Sequence, residues 1–210
     1  KRITIHLNQR SEMLSGISHD LRTPLTRLKL QLALLKQQDL AKKMSDDIEE
    51  MERMLNEYLE FSRHQKNEDT ETVSVNTVIN DVVKKYGNDQ INISVEENLE
   101  INIRPNSMKR CLANLIDNGL SYGKKVEILI KKTLSNITIF IDDDGPGIPE
   151  KEYQNVMKPF YRIDKSRGQN KSGVGLGLSI TNDIIRSHGG SISLEKSPLS
   201  GLRVKIYLPL

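Results

Sequence analysis

Residues 14–35 read Leu14-Ser-Gly-Ile17-Ser18-His19-Asp20-Leu21-Arg22-Thr23-Pro24-Leu25-Thr-Arg-Leu28-Lys-Leu-Gln-Leu32-Ala-Leu-Leu35, and their spacing decides the first part of the fold. Leucines at 14, 21, 28 and 35 recur every seven residues, and Ile17, Leu25 and Leu32 widen the stripe. Such a heptad describes a helix that packs along a seam. With those leucines at position a, His19 falls at f, toward solvent, and Thr23 lies one turn further along the same face. Pro24 cannot donate to the carbonyl of Asp20 and its ring crowds that group, so a kink is expected beside the histidine. A histidine presented to water on a rigid rod, with a carboxylate and a hydroxyl alongside, suits a group that enters another active site. Taken alone, His19 also reads as an ordinary solvated residue.

Working outward, residues 8–37 read as one kinked helix, and Gln38-Asp39 makes a short break in which Asp39 can cap the next helix. Met44, Ile48, Met51, Leu55 and Tyr58 recur at helical spacing on that second helix, which continues toward Gln65. Two long helices joined by a tight turn predict an antiparallel hairpin. One hairpin buries little of its apolar stripe, so a dimeric four-helix bundle is expected. Packing of the hairpin on the rest of the chain is the alternative.

A length of 210 residues suits two small domains better than one large core. Aromatic residues make up 4% and tryptophan is absent, so the packing must rely on Leu, Ile, Val and Met. The net charge of +3 is scattered and gives no case for a nucleic-acid groove. Cys111 is the single cysteine, which rules out an internal disulfide or a cysteine-based zinc site and fits a reducing compartment. No apolar run reaches the ~18 residues of a membrane span. Lys1 in place of methionine leads us to expect a fragment, with any sensing or membrane segments upstream.

Residues 67–72 are polar and pattern-free and read as a linker between an all-α domain over 1–66 and a second domain over 73–210. Past the linker the periodicity is mixed. Val73–Val75 reads as a short strand, and Asn76 as the cap of a helix through Tyr86. Strands are expected over 91–95, 100–103, 126–130, 137–141, 191–195 and 202–208, with helices from Pro105 to Tyr122 and over 176–188. This mixture predicts an α+β two-layer sandwich.

Three stretches of the second domain carry chemistry. Asn114-Leu-Ile-Asp117-Asn118 sets two amides at i and i+4 on one helix face, where both can meet one ligand, and an amide oxygen is a suitable neutral ligand for magnesium. Asp142-Asp143-Asp144-Gly145-Pro-Gly147 ends a strand in carboxylates, one of which can accept from an exocyclic adenine amine, while the glycines admit a close backbone approach. Gly173-Val-Gly175-Leu-Gly177-Leu178 leads into a helix, as a phosphate cradle does. It is neither a Walker A motif nor a dinucleotide fingerprint. Solvated amides and a tight acidic turn are the plain alternatives for the first two.

In this order the motifs resemble those of bacterial two-component sensor histidine kinases of the osmosensor type. Ser18–Leu25 is similar to their phosphoacceptor box. The later stretches are similar to their N, G1 and G2 boxes, with Lys158-Pro-Phe160-Tyr161-Arg162 as the F box. The resemblance covers essentially the whole chain. It implies a dimerisation and phosphotransfer domain followed by an ATP-binding domain of the Bergerat type. It further implies that His19 takes the γ-phosphoryl group of MgATP, with Asp20 accepting the Nδ1 proton. Asn118 would bind Mg²⁺, Asn114 would support the phosphates, Asp143 would read adenine between Gly145 and Gly147, and Tyr122 would stack on the base. Gly173, Gly175, Gly177 and Leu178 would wrap the phosphates. A lid over Ile163–Ser172 would bring Lys165, Arg167 and Lys171 toward them, beside Arg162. The partners implied are a second copy of the chain and the receiver domain of a response regulator, which Thr23 would help to dephosphorylate by orienting a water. The expected location is the cytoplasmic face of the bacterial inner membrane, reached through segments absent from this chain. Ser121 stands where relatives often carry a basic residue, a role Lys124 or Lys125 could take, and Gly119 replaces an alanine, with weaker packing as the expected cost. Gly189-Gly190 reads as a helix stop, which makes His188 a cap neighbour.

Overall fold

The structure, a computed structural model, describes residues 24–32, 40–42, 44–49, 51–52, 55, 68–87, 89–95, 99–163 and 175–210. The chain divides into two compact units, Lys1–Asn67 and Glu68–Leu210.

The first unit is helical at 24–32 (α1) and at 40–42, 44–49, 51–52 and 55 (α2). Leu25 and Leu32 of α1 and Ile48 of α2 form one buried cluster, and Lys29 Nζ donates to a Glu52 carboxylate oxygen at 2.7 Å. Leu25 and Leu32 are seven residues apart, and they carry the buried stripe within one chain. Leu28 lies on the expected seam yet is 44% exposed, against 6% for Leu25. Leu14, Leu21, Leu35 and the residues N-terminal to Pro24 lie outside the described ones, as does the expected kink.

The second unit comprises β1 (Glu71–Ser74), α3 (Val75–Val83), β2 (Ile91–Val95), β3 (Glu100–Ile103), α4 (Pro105–Tyr122), β4 (Val126–Lys132) and β5 (Asn136–Asp143), followed by a 3-10 turn (Glu150–Glu152), α5 (Tyr153–Val156), α6 (Gly177–Ser187), β6 (Ser191–Lys196) and β7 (Leu202–Pro209). A five-stranded sheet runs in the order β2-β4-β5-β7-β6, and β1 pairs with β3 in a separate ribbon. The β2–β4 pair is parallel, whereas β4–β5, β5–β7 and β6–β7 are antiparallel.

Period-2 alternation explains the layering. Val126, Ile128 and Ile130, with Ile137, Ile139, Ile141, Val204, Ile206 and Leu208, all turn to the buried side of the three central strands. The helices complete that core with Val78, Ile79 and Val82 of α3, Met108, Leu112, Leu115 and Ile116 of α4, and Ile180, Ile184 and Ile185 of α6. Among the described residues the buried hydrophobic side chains are all aliphatic, Met or Cys. Burying such a side chain contributes about 1.5–3 kcal/mol.

Two local readings are corrected. The strand expected over Val73–Val75 is β1, which begins at Glu71 inside the stretch read as linker and pairs Glu71 with Ile103 through Ser74 with Glu100. Val75 belongs to the helix instead. Its side chain is buried and its N–H donates to the Leu99 carbonyl at 2.8 Å, which leaves Asn76 inside α3 rather than at its cap. That helix ends at Val83 and a turn carries the chain through Tyr86.

The start of α4 falls at Pro105 as expected, but Arg104 at its cap makes no capping side-chain bond. The free N–H groups of the first turn are taken by a distant carboxylate. Glu68 accepts from the N–H of Asn106 at 2.5 Å, the N–H of Ser107 at 2.9 Å and the Ser107 hydroxyl at 2.6 Å. Burial pushes the Glu68 pKa up, but these three donors outweigh it and hold the carboxyl below its usual range. His188, at the end of α6, accepts the Arg104 N–H through Nε2 at 3.0 Å while Nδ1 faces the Ile184 carbonyl at 2.8 Å. That pattern assigns the proton to Nδ1. The Arg104 guanidinium donates to the carbonyl and the hydroxyl of Ser187. Gly189, with φ of 75°, stops α6 behind this cluster, and the Gly190 N–H returns to the Ile185 carbonyl.

Candidate nucleotide site

Three elements converge at one end of the sheet: the C-terminal half of α4, the end of β5, and the N-terminus of α6. Gly119 on α4 allows the first contact. A Cβ there would stand 2.7 Å from Val126 Cγ2 and 3.3 Å from Asp143 Cβ, so α4 lies closer to β4 and β5 than an alanine would permit. The glycine therefore tightens the packing, contrary to the weakening expected from the sequence. Gly177, the first residue of α6, would bring a Cβ within 3.9 Å of Asn114 Cβ, which places the third glycine of the loop beside the first amide of the pair.

The acidic run closes β5. Asp143 is 7% exposed, and its Oδ1 accepts the N–H of Gly145 at 2.9 Å and of Leu202 at 3.1 Å. Burial pushes its carboxyl pKa up, the two N–H groups pull it down, and the charges of Asp144 and Asp142 push it up again, with a net rise. Both described donors sit on one oxygen. Gly147 is left-handed with φ of 71°, and a Cβ there would meet the Gly201 carbonyl oxygen at 3.1 Å. The Gly145–Gly147 loop thus lies on the turn between β6 and β7.

Asp142 and Asp144 face elsewhere. Arg203 forks onto Asp142 with two bonds of 2.8 Å, and its guanidinium lies 4.9 Å from the centroid of the Phe140 ring. Asp144 Oδ1 accepts the N–H groups of Lys124 at 2.6 Å and Lys125 at 2.9 Å. Those backbone donors hold the Asp144 carboxyl below its usual range.

Tyr122 ends α4 and is 44% exposed. A Cβ on Gly145 would stand 3.2 Å from the Tyr122 carbonyl carbon and oxygen, so this aromatic residue borders the Asp143 loop. At the opposite side, Phe160 has φ of 63°, and its N–H donates to the Gly175 carbonyl at 3.0 Å. Gly175, with φ of 78°, leaves room for a Cβ only 2.9 Å from the Tyr161 carbonyl oxygen and 3.3 Å from Arg162 Cγ. The F-box segment and the glycine loop are thereby joined ahead of α6, where Leu178 is half-buried.

Close approaches thus join Asn114 with Gly177, Asp143 with Gly119, Tyr122 with Gly145, Gly147 with Gly201, and Gly175 with Arg162, while Leu178 follows Gly177 on α6 and Asn118 lies one turn beyond Asn114 on α4. Of the other expected site residues, His19, Asp20, Thr23, Arg167 and Gly173 lie outside the described residues, with Lys165 and Lys171. The residues missed in the sequence are Gly123, Gly201 and Leu202, and the attachment of Asp144 to the backbone of Lys124 and Lys125 is not legible there either. A Cβ at Gly201 would collide with the Asp143 carboxylate. Its place opposite an aspartate 58 residues earlier is set by the pairing of β5 with β7, which places Asp142 opposite Arg203. The only local trace is a glycine in the Ser-Pro-Leu-Ser-Gly turn.

Asn114 bears on the ligand. Its Nδ2 is buried with no hydrogen-bond partner, a cost of about 1–3 kcal/mol unless something accepts from it. An anionic oxygen at the neighbouring N-terminus of α6 would fill that need. Among the described residues no group of three or more His, Cys, Asp or Glu is placed to hold a metal ion. The α4 amides are what this site offers a cation that arrives with phosphate.

Known proteins resemble this chain in sequence and in fold. The family described as "Histidine kinase-, DNA gyrase B-, and HSP90-like ATPase" matches residues 103–210, and the "His Kinase A (phospho-acceptor) domain" matches residues 9–67. The sensor histidine kinase GtrS of Pseudomonas aeruginosa is 35% identical over 211 residues, covering 100% of this chain and 44% of its own length. The sensor histidine kinase CpxA of Escherichia coli is 35% identical over 218 residues, covering 97% of this chain and 48% of its own. The chain thus spans about half the length of these curated relatives. Among solved structures, full-length ShkA in complex with AMPPNP shares the fold, with a TM-score of 0.71 and 18% identity over 94% of this chain and 45% of its own. The histidine kinase domain of the E. coli osmosensor EnvZ gives a TM-score of 0.54 and 29% identity over 69% of this chain and 91% of its own. A phosphoacceptor domain followed by an ATPase domain of this kind, in one chain, places the protein in the bacterial two-component sensor histidine kinase family.

Proposed function

We propose that the chain binds MgATP in its second unit and transfers the γ-phosphoryl group to His19. The observation that carries this reading is Asp143, a buried carboxylate held by two backbone N–H groups at the end of β5. It lies beside a helix whose Asn114 Nδ2 is buried and unpartnered. A carboxylate so placed accepts from the exocyclic amine of adenine, and Tyr122 stacks on the base. Asn118 supplies an amide oxygen to the magnesium that accompanies the nucleotide. Asn114 Nδ2 and the glycines from 173 to 177, which lead into α6, donate to the phosphates, with Arg162 and Arg167 adding charge.

Phosphoryl transfer requires in-line positioning and charge neutralisation more than covalent help from the protein. His19 attacks through Nε2. The N–P bond forms as the bond from γ-phosphorus to the bridging oxygen breaks, and ADP leaves with that electron pair. Asp20 accepts the hydrogen bond of Nδ1–H, which directs the Nε2 lone pair outward and steadies the positive charge that develops on the ring. An imidazole with an ordinary pKa of about 6.5 is mostly neutral at pH 7, as the attack demands.

The phosphoryl group then passes to an aspartate on the receiver domain of a response regulator, and Thr23 orients the water for the reverse service, hydrolysis of that aspartyl phosphate. The working form is a homodimer. Leu28, Leu40, Met44 and Met51 are exposed on α1 and α2, a stripe that a second hairpin would cover as a four-helix bundle. Segments outside this chain tether it to the cytoplasmic face of the inner membrane.

The test is incubation with γ-labelled ATP and magnesium. An acid-labile, base-stable label on the wild type that disappears in His19→Gln supports the reading, and a label retained in that variant overturns it. Thr23→Ala should keep the label and slow dephosphorylation of the regulator.

A further inference from the structure

Three aspartates in a row, 142 to 144, have identical side chains and three different attachments. Asp142 is neutralised by Arg203 on the outer face of the sheet, and Asp143 turns toward α4. Asp144 lies past the end of β5, where it reaches the loop between α4 and β4. We propose that Asp144 is a positioning residue for the base-binding end of the site: without touching the nucleotide, its carboxylate fixes the backbone just past α4 and so holds Tyr122 beside Asp143. This rests on the reading that a nucleotide base binds at Asp143.

The C-terminus of α4 needs such a device. The last turn of a helix is prone to fraying, and here its backbone bond, from the Gly123 N–H to the Gly119 carbonyl, depends on where the chain beyond Gly123 is held. Gly123 comes next, with φ of −118° and ψ of −173°, an extended conformation open to any residue. It is glycine for want of space. A Cβ there would collide with Asp144 Oδ1 and stand 3.0 Å from the Gly145 nitrogen. The carboxylate therefore sits against Gly123 and takes the next two N–H groups, of Lys124 and Lys125, on one oxygen. Tyr122, immediately before this clamp, rests its carbonyl against Gly145. One charged group thus joins the aromatic end of α4 to the loop that carries Asp143, and charge-assisted bonds of this type are the stronger kind.

A double-mutant cycle read by ADP binding tests the assignment. The full chain is titrated with MgADP by calorimetry as wild type, Asp144→Ala, Asp144→Asn, Tyr122→Ala and the Asp144→Ala/Tyr122→Ala pair. Asp144→Ala should weaken ADP about tenfold, and in the Tyr122→Ala background it should add less than about twofold. Asp144→Asn keeps an oxygen that can accept both N–H groups but loses the charge that strengthens those bonds, and should bind between wild type and Asp144→Ala. Wild-type binding in Asp144→Ala, or a double variant that loses the product of the two single factors, overturns the proposal. So does Asp144→Asn binding ADP more weakly than Asp144→Ala. If Asp144→Ala gives no cooperative melt, Gly123→Ala replaces it in the same cycle, since its Cβ displaces the carboxylate while leaving it present. Should Asp143→Asn leave ADP binding intact, it is the base-site reading that fails, whatever Asp144 does.

Discussion

The two ends of α4 are both held from outside the helix, but by groups with different consequences. At the N-terminus the donors of the first turn go to Glu68 and His188, which join α4 to the start of the second unit and to the end of α6. At the C-terminus Asp144 grips the backbone just beyond the last turn, next to the residues gathered around Asp143. The first arrangement ties secondary structure together, and the second lies beside the proposed recognition surface. A helix with no side-chain bond at its N-cap is therefore anchored twice from outside, and on the proposed reading one anchor serves folding and the other binding, so the two should separate under mutation.

The largest effect should come from the binding end. Asp143→Asn keeps an oxygen for Gly145 and Leu202 but turns an N–H group toward the adenine amine, and should weaken ADP about a hundredfold in calorimetry while leaving the melting curve near wild type. Gly119→Ala lies between the ends and should breach the separation. Its extra carbon meets Val126 and Asp143, so denaturant unfolding should show a loss of about 1–3 kcal/mol and ADP should bind more weakly as well. Glu68→Ala tests the folding end alone. Removal of this distant cap should cost about 1 kcal/mol in denaturant unfolding, with ADP affinity unchanged.

The smallest effect is a pH dependence. Burial lowers the His188 pKa, the Ile184 carbonyl opposes this, Arg104 lowers it further and the Glu68 charge raises it, for a net fall. A neutral imidazole accepts the Arg104 N–H, and an imidazolium cannot. The unfolded chain takes up this proton near pH 6.5 and the folded one only at lower pH, so the contribution is intact above 6.5 and is lost as pH falls below it. Thermal melts from pH 7.5 down to 5 should show this decline, and His188→Gln should flatten it.

The contrast between the ends also shows what can be read in the sequence. Much that is local is visible there, as in Pro105 opening α4, the alternation of β4, β5 and β7, the amide pair, the glycine runs and the stop at Gly189, although the bounds of β1 and α3 and the short helix α5 are not. Features built between distant segments are not. Glu68 lies in a stretch without periodicity, and nothing nearby shows that it caps a helix 38 residues later. Gly201 looks like a turn glycine until the register of β5 with β7 sets it against Asp143. Gly119 misleads because its meaning depends on how close Val126 comes. The heptad puts Leu28 on the seam, whereas Leu25 and Leu32 are the ones buried within a single chain.

Cys111 stands between the two anchors of α4, fully buried, its thiol pushed up to about 12 by burial. A thiol in that state is inert to alkylating reagents until the surrounding layer opens. The molecule thus contains a single chemical stopwatch at the centre of its folded interior. Its labelling rate counts excursions that expose the helix, and a bound ligand should slow that rate by the factor 1 + [L]/Kd. Nucleotide affinity and conformational opening can then be read from one atom, with no engineered probe.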